Sequence, residues 1–243
     1  MSGRLARYAL FQAHDYFRER GLPLLLVGAL LLLMATQGAI GPTVALDAAG
    51  AESRTLTLAA IFLELFAPTA VLVAVNGIIS GDRKHHYYRL LFSKPISAAR
   101  FYAQAFLVSL AGTLVATAIV LAAFEVIFGH VALAGALLFV LLYFVLFGGV
   151  GFLLSAITEY DWIALGAVWS LAWLLRSFFP AGESWFGRVM DLILPPLHLL
   201  AGAAAPLMTG AGIDPATYLW VVGYGAAAFA VGLLVVRYRP MAS

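Results

Sequence analysis

Cysteine is absent from this chain of 243 residues, and charged side chains make up only 11% of it. Without cysteine there is no disulfide, thiolate metal site or cysteine nucleophile. A soluble domain carries about 25% charged residues. The low charge, together with 63% apolar or aromatic residues, therefore excludes an ordinary soluble protein. Disorder is excluded as well, because it requires low hydrophobicity and high net charge. The formal net charge is only +2, which gives a nucleic-acid partner no electrostatic support.

Long apolar stretches dominate what is present. A bilayer core of about 30 Å requires roughly 20 apolar residues in a helix, and six stretches approach or exceed that length. Their approximate bounds are Leu22–Ile40, Leu56–Ile79, Phe101–Phe124, Val131–Ala156, Trp162–Phe178 and Tyr218–Val236. The sequence therefore predicts an all-α membrane protein with six transmembrane helices, forming a single transmembrane domain over residues 1–243.

The basic residues are distributed unevenly around these six stretches. Eleven of the 14 lysines and arginines precede the first stretch, lie between the second and third, or follow the sixth. Basic residues concentrate on the cytoplasmic side of membrane proteins. We therefore expect both termini to be cytoplasmic and the protein to lie in a plasma membrane of the bacterial inner-membrane type.

Prolines interrupt the apolar segment between the fifth and sixth stretches. Half of the ten prolines fall here, at positions 180, 195, 196, 206 and 215. Because proline removes a backbone donor and breaks helices, we expect no seventh span. The pattern predicts a re-entrant helical hairpin within an extracytoplasmic region, 179–217, in which two short helical pieces dip into the outer face and return.

The N-terminal residues form an amphipathic pattern. On a helical wheel, residues 4–20 place leucine, alanine, tyrosine and phenylalanine on one arc, into which Arg20 intrudes. Such a helix suits the membrane interface. We therefore expect an interfacial helix over residues 1–21, with Gly21 and Pro23 allowing a turn into the first span.

The segment 80–100, SGDRKHHYYRLLFSKPISAAR, combines charge with aromatic residues. Ser80 or Asp82 can cap a short helix, and Ser97 can cap the third span. A solvated basic loop would explain the charge alone. The neighbouring tyrosines and leucines favour a docking element, because exposed aromatic residues are enriched at interfaces.

At this point the chain resembles the membrane subunits of ABC-2-type exporters. The resemblance rests on the six spans, the amphipathic first helix, the SGD start of the loop after span two, and the Lys-Pro-Ile-Ser segment at Lys94–Ser97. The proline-rich segment between spans five and six also fits the outer hairpin of that family. His85–Tyr88 departs from the acidic–Gly–Thr pattern of many members.

The resemblance implies a permease subunit that moves its substrate by alternating access. It implies a second permease copy or homologue and a separate ABC ATPase subunit, which binds ATP and Mg²⁺. This chain has no Gly-x-x-x-x-Gly-Lys-Ser/Thr phosphate loop, so we expect no catalytic residue, cofactor site or metal site in it. Membrane lipid is the remaining partner. By resemblance, a coupling helix over Asp82–Lys94 contacts the ATPase, and its candidate residues are Asp82, Arg83, Lys84, His85, His86, Tyr87, Tyr88, Arg89, Leu90, Leu91 and Lys94.

A few polar or helix-breaking residues lie inside the predicted spans. Glu64 lies in the second span, where a carboxylate facing lipid would cost about 2.5 kcal/mol or more. It should therefore face the interior, be paired or be protonated. It is a site of substrate contact or gating, or the structural partner of a serine, threonine or arginine on another span, or else the span is shorter than drawn. Pro68 should kink the same helix. Glu159 and Asp161 are expected to be solvated turn residues.

Spaced small residues occur in several spans, as Ser109, Thr113 and Thr117, and as glycines at 148, 149, 151, 223 and 225. Small residues allow helices to approach closely in membranes. They can mark an interface between subunits, but we expect ordinary packing within one bundle.

Two other classes of protein remain as alternatives. An ion- or proton-driven secondary transporter, or a channel, usually has several intramembrane carboxylates and broken helices, and only Glu64 is clear here. An intramembrane enzyme is less favoured, because no His-Glu-x-x-His motif is present and no histidine lies well inside a span.

Overall fold

The computed structural model describes residues 10–40, 51–84, 97–178, 185, 189 and 193–238, apart from the side chains at 51, 52, 83 and 176. These residues form helices and turns, with no strand among them. The helices, in chain order, are α1 Leu10–Thr36, α2 Ala51–Val75, α3 Ser80–Lys84, α4 Ala98–Phe128, α5 Leu133–Ile157, α6 Asp161–Phe178, α7 Ala204–Thr209 and α8 Pro215–Tyr238. The all-α prediction is confirmed for this part of the chain.

Within the part of the chain that the structure describes, five helical segments are long and apolar enough to cross a membrane. They are Leu10–Thr36, Ser53–Asp82, Ala98–Phe128, Leu133–Ile157 and Pro215–Tyr238. This confirms the membrane-helix character of five of the six predicted spans. The remaining one coincides with α6, whose apolar part Asp161–Leu175 is shorter. That α6 crosses the membrane therefore stays a prediction.

Short connections set the direction of successive helices. Four residues join α4 to α5 and three join α5 to α6, and such short links make neighbouring helices antiparallel. The end of the bundle where α2 finishes and α4 begins carries Arg20, Lys84, Arg100 and Arg237. We call it the basic end, and its cytoplasmic orientation is a prediction.

The first helix differs from the prediction. The expected turn at Gly21 and Pro23 is wrong, because α1 runs without interruption from Leu10 to Thr36. Residues Phe17–Gly21 form a π-helical segment in which the Leu22 N–H donates to the Phe17 carbonyl. This wider hydrogen-bond spacing lets the helix continue past Pro23, which has no N–H to donate.

Glycines bring α5 and α8 into close contact. A Cβ on Gly149 would collide with the Gly225 carbonyl, and a Cβ on Gly225 would collide with the Val145 carbonyl. The two backbones therefore meet directly, as small residues permit in membranes. At Gly223, by contrast, no atom lies within 4 Å of the position that a Cβ would take. The expectation of packing within one bundle holds for Gly149 and Gly225.

The described part of the segment before α8 contains short helical pieces rather than a span. A 3-10 turn covers Leu197–Leu199 and α7 covers Ala204–Thr209. Leu200 and Ala204 are buried, and α7 lies so close to α5 that a Cβ on Gly135 would collide with the Leu207 carbonyl. No continuous helix covers residues 193–213. The re-entrant course of residues 179–217 stays a prediction.

Candidate functional site after the second span

The chain turns sharply between α2 and α3 at the basic end. Gly77 has a φ of 72°, a left-handed conformation that favours glycine. The Ile78 N–H donates to the Val75 carbonyl over 3.3 Å, and the Gly81 N–H donates to the Gly77 carbonyl over 3.2 Å. Residues 76–79 therefore form a compact turn, which we call the junction, and α3 starts directly after it.

Asp161 fixes the junction to α6. Its Oδ2 accepts the Gly77 N–H over 2.9 Å and the Ser80 hydroxyl over 2.8 Å. Its Oδ1 accepts the Trp162 N–H over 2.9 Å at the start of α6. Asp161 is only 4% exposed, so the expectation that it is a solvated turn residue is wrong. Its carboxylate is buried because it satisfies backbone and hydroxyl donors that would otherwise have no partner.

Ser155 fixes the same turn to α5. Its hydroxyl oxygen accepts the Ile79 N–H over 3.2 Å and the Ser80 N–H over 3.1 Å. Both donors lie where α3 begins, and the first N–H groups of a helix have no partner within it. Ser155 is fully buried. Its hydroxyl oxygen is therefore the hydrogen-bond acceptor for these two N–H groups, and it joins the start of α3 to α5.

Arg20 fixes the other side of the junction to α1. Its guanidinium donates to the Ala74 carbonyl over 2.8 Å and to the Ser109 hydroxyl over 3.3 Å. The last carbonyls of α2 have no partner in their own helix, and Arg20 satisfies one of them. Its intrusion into the apolar arc of the first helix was the sequence signal for this inward role.

Tyr16, one turn before Arg20, also points inward. Its hydroxyl lies 2.9 Å from the Thr113 hydroxyl of α4, and its ring occupies the space that a Cβ on Gly112 would need. The hydroxyls of Thr113 and Thr117 donate to carbonyls of their own helix. The small polar residues of α4, Ser109, Thr113 and Thr117, thus lie on the side of α4 that packs against α1 of the same chain.

The predicted coupling residues are described only at their start. The Asp82 carboxylate accepts the Tyr102 hydroxyl over 3.1 Å, and Lys84 Nζ lies 5.1 Å from the centre of the Tyr160 ring. Arg83 belongs to α3, but its side chain is outside the described part. So are the remaining candidates, which are His85, His86, Tyr87, Tyr88, Arg89, Leu90, Leu91 and Lys94.

An open cavity of about 820 Å³, with both polar and apolar lining, lies beside the junction, between α1, α2, α3 and α4. Asp15 and Glu19 of α1 line it, together with Asp82 of α3 and Asn76 of the junction. Arg20 also lines it. The junction therefore has this cavity on one side and the buried contacts to α5 and α6 on the other.

Glu64 and Pro68 lie far from the junction, in the middle of α2. The Glu64 carboxylate accepts the Gly202 N–H over 2.9 Å, so its partner is a backbone group of the segment before α8. Gly202 has a φ of 73°. Helix α2 continues through Pro68 to Val75. Among the described coupling residues, Asp82 and Lys84 lie at the other end of this helical segment from Glu64.

Sequence reasoning missed Asp161, Ser155 and Arg20 as members of the candidate site.

Within the described residues, no group of three or more histidine or acidic side chains could hold a metal ion. Neither the family models, the curated proteins nor the solved structures give a match to this chain.

Proposed function

We propose that this chain is the permease subunit of an ATP-driven exporter of the ABC-2 type. In this proposal a separate ABC ATPase subunit binds and hydrolyses ATP with Mg²⁺, and a second permease copy or homologue completes the transporter. The chain lies in a bacterial-type inner membrane with both termini cytoplasmic. The segment Asp82–Lys94 is the coupling element.

One observation carries the proposal. The turn that leads into the coupling element is held by side chains from three spanning or apolar helices, namely the partly buried Arg20 of α1 and the buried Ser155 of α5 and Asp161 of α6. A surface loop without a mechanical role would need no such attachment. A coupling element requires one, because its displacement must be transmitted to the helices that move.

The asymmetry of the junction suggests the direction of movement. On the side of α5 and α6 the contacts are short hydrogen bonds between buried groups, which resist displacement. On the side of α1 the contact is the partly buried hydrogen bond from Arg20 to the Ala74 carbonyl, and an open cavity lies beside it, whereas a packed core would not deform. When the ATPases close, we expect α3 to shift toward α1 and to pull α5 and α6 with it.

Copurification tests the partner. A tagged chain is expressed in its native host, extracted in a mild detergent and analysed by mass spectrometry. We expect an ATPase subunit with a phosphate loop in stoichiometric amount. If repeated preparations, including ones trapped with ATP and vanadate, contain no ATPase, the exporter proposal fails.

An ion- or proton-driven carrier is the second candidate, and Glu64 is the observation that favours it. Its carboxylate is half-buried in α2 and lines a cavity, as coupling carboxylates of such carriers do. Transport into proteoliposomes that contain this protein alone, driven by an ion gradient without ATP, would support the carrier. The exporter proposal predicts no such transport.

A further inference from the structure

A second cavity, of about 210 Å³, lies beside Glu64. Four aromatic side chains contribute to its wall, from two helices: Phe139 and Tyr143 of α5, and Trp169 and Trp173 of α6. The segment before α8 closes the rest with Pro195, Leu197, His198, Leu200 and Ala201. The cavity therefore combines one carboxylate with an aromatic wall.

The charge of Glu64 is only partly compensated. Its carboxylate accepts one backbone N–H, from Gly202. Among the described residues that line the cavity there is no lysine or arginine, and His198 is the one basic side chain. Carboxylates within membrane helices are costly unless they are paired. A bound cation would supply the missing charge.

The aromatic wall indicates which cation fits. Aromatic faces carry negative charge, and they attract ammonium groups within about 6 Å of the ring centre. Quaternary ammonium groups have no N–H to donate, so a wall of rings with a single carboxylate satisfies them. A primary ammonium group would need several hydrogen-bond acceptors in addition.

We propose that this cavity binds a quaternary ammonium group of the choline type. Its volume is below the roughly 300–1,000 Å³ typical of pockets for drug-sized ligands, so it holds the head group and leaves any tail outside. Part of the wall is fixed, because Phe139 and Tyr143 are buried. Trp173 is 68% exposed and is the least buried of the four aromatic side chains. The binding site is proposed independently of the proposed function. Only the identification of its ligand as exported cargo rests on that function.

The test uses the full chain purified in a neutral maltoside detergent, without an ATPase. Choline is titrated by calorimetry and compared with dimethylbutanol, its neutral isostere of the same shape. We expect choline to bind at least about tenfold more tightly than the isostere, since only choline gains from the carboxylate and the rings. Dodecylphosphocholine provides a further comparison: tighter binding than choline identifies a lipid-like head group, and weaker binding identifies a soluble cation.

Variants locate the site. Glu64→Gln keeps an oxygen that can accept the Gly202 N–H but loses the charge, and we expect it to weaken choline binding about tenfold; Trp173→Leu should weaken it several-fold. Trp162→Leu, at the other end of α6, and Glu125→Gln, in the last turn of α4, are matched controls that should bind as the original chain does. If Glu64→Gln does not fold, the choline affinity of Trp173→Leu still shows whether choline binds in this cavity.

Two results would overturn the proposal. One is equal binding of choline and dimethylbutanol, and the other is unchanged choline binding in both cavity variants. Because no ATPase takes part, failure here leaves the exporter proposal standing, and failure to copurify an ATPase leaves the binding site standing.

Discussion

The Ser80 hydroxyl donates to Asp161 Oδ2 over 2.8 Å, although the two residues are 81 positions apart in sequence. This bond joins the first residue of α3 to the first residue of α6. It is buried, and the same carboxylate oxygen also accepts the Gly77 N–H. The Asp161 carboxylate therefore joins the turn after α2 to the start of α6.

Removal of the Asp161 carboxylate should destabilise the bundle. Asp161→Ala leaves the Gly77 N–H and the Ser80 hydroxyl without their acceptor, and each lost partner costs about 1–3 kcal/mol. Asp161→Asn keeps one acceptor oxygen and should have a smaller effect. Thermal unfolding in detergent measures both. Glu159→Ala, at an exposed position of the same turn, is the control, and equal unfolding temperatures for Asp161→Ala and Glu159→Ala would contradict the assignment.

Ser155 should protect two particular amides from hydrogen exchange. Its oxygen accepts the N–H groups of Ile79 and Ser80, and Ser155→Ala removes that acceptor. We expect peptides that cover residues 76–84 to exchange about tenfold faster, as an opening cost lower by about 1.4 kcal/mol implies. Mass spectrometry of deuterated peptides gives the measurement.

Ser177→Ala is the control for this exchange experiment, since the Ser177 hydroxyl is exposed and donates only to the Trp173 carbonyl of its own helix. Faster exchange in this control, or an increase spread over all helices of Ser155→Ala, would show that the effect is not local to the junction.

The positions of the helices follow from the sequence, because backbone groups within a bilayer must be satisfied inside the helix and long apolar stretches reveal where that happens. The junction does not follow from it. Asp161 looks like a solvated turn residue in sequence, since the donors that bury it lie 81 and 84 positions away. The helical wheel shows that Arg20 lies on the apolar arc. It does not show that the Ala74 carbonyl is its partner.

The wrong turn at Gly21 has a similar cause. Glycine followed by proline is a frequent helix end, and the sequence alone does not show that a π-helical segment can carry the helix past Pro23. For Glu64, one interpretation of the sequence was a structural partner on another span. The structure supplies a backbone N–H from Gly202, which no side-chain pattern encodes.

Close packing of α5 against α8 should make Gly225 intolerant of a side chain. Gly225→Ala forces a methyl group into the Val145 carbonyl, and overpacking of this kind costs about 1–3 kcal/mol or more. Gly223→Ala adds the same group on the same helix, where nothing lies within 4 Å, and should be neutral or slightly stabilising. Unfolding in detergent distinguishes them, and similar losses in the two variants would refute this packing.

Attachment of the first helix to α4 should depend on one hydroxyl. Tyr16→Phe removes the hydrogen bond to Thr113 while it keeps the ring against Gly112. We expect a loss of about 1 kcal/mol in the free energy of unfolding. Tyr238→Phe, on a side chain that is 72% exposed, should change nothing. A double-mutant cycle with Thr113→Val then measures the coupling, and a coupling energy near zero would contradict the contact.

The most direct test of the account is whether the segment after α2 holds the ATPase. Tagged original chain and a Tyr87→Ser, Leu90→Ser, Leu91→Ser triple variant are purified side by side, and the ATPase retained by each is quantified. We predict that the triple variant loses the ATPase, or its transport-linked ATP hydrolysis, while its helix content and unfolding temperature stay unchanged. Full retention of the ATPase together with normal transport in the triple variant would contradict the central claim.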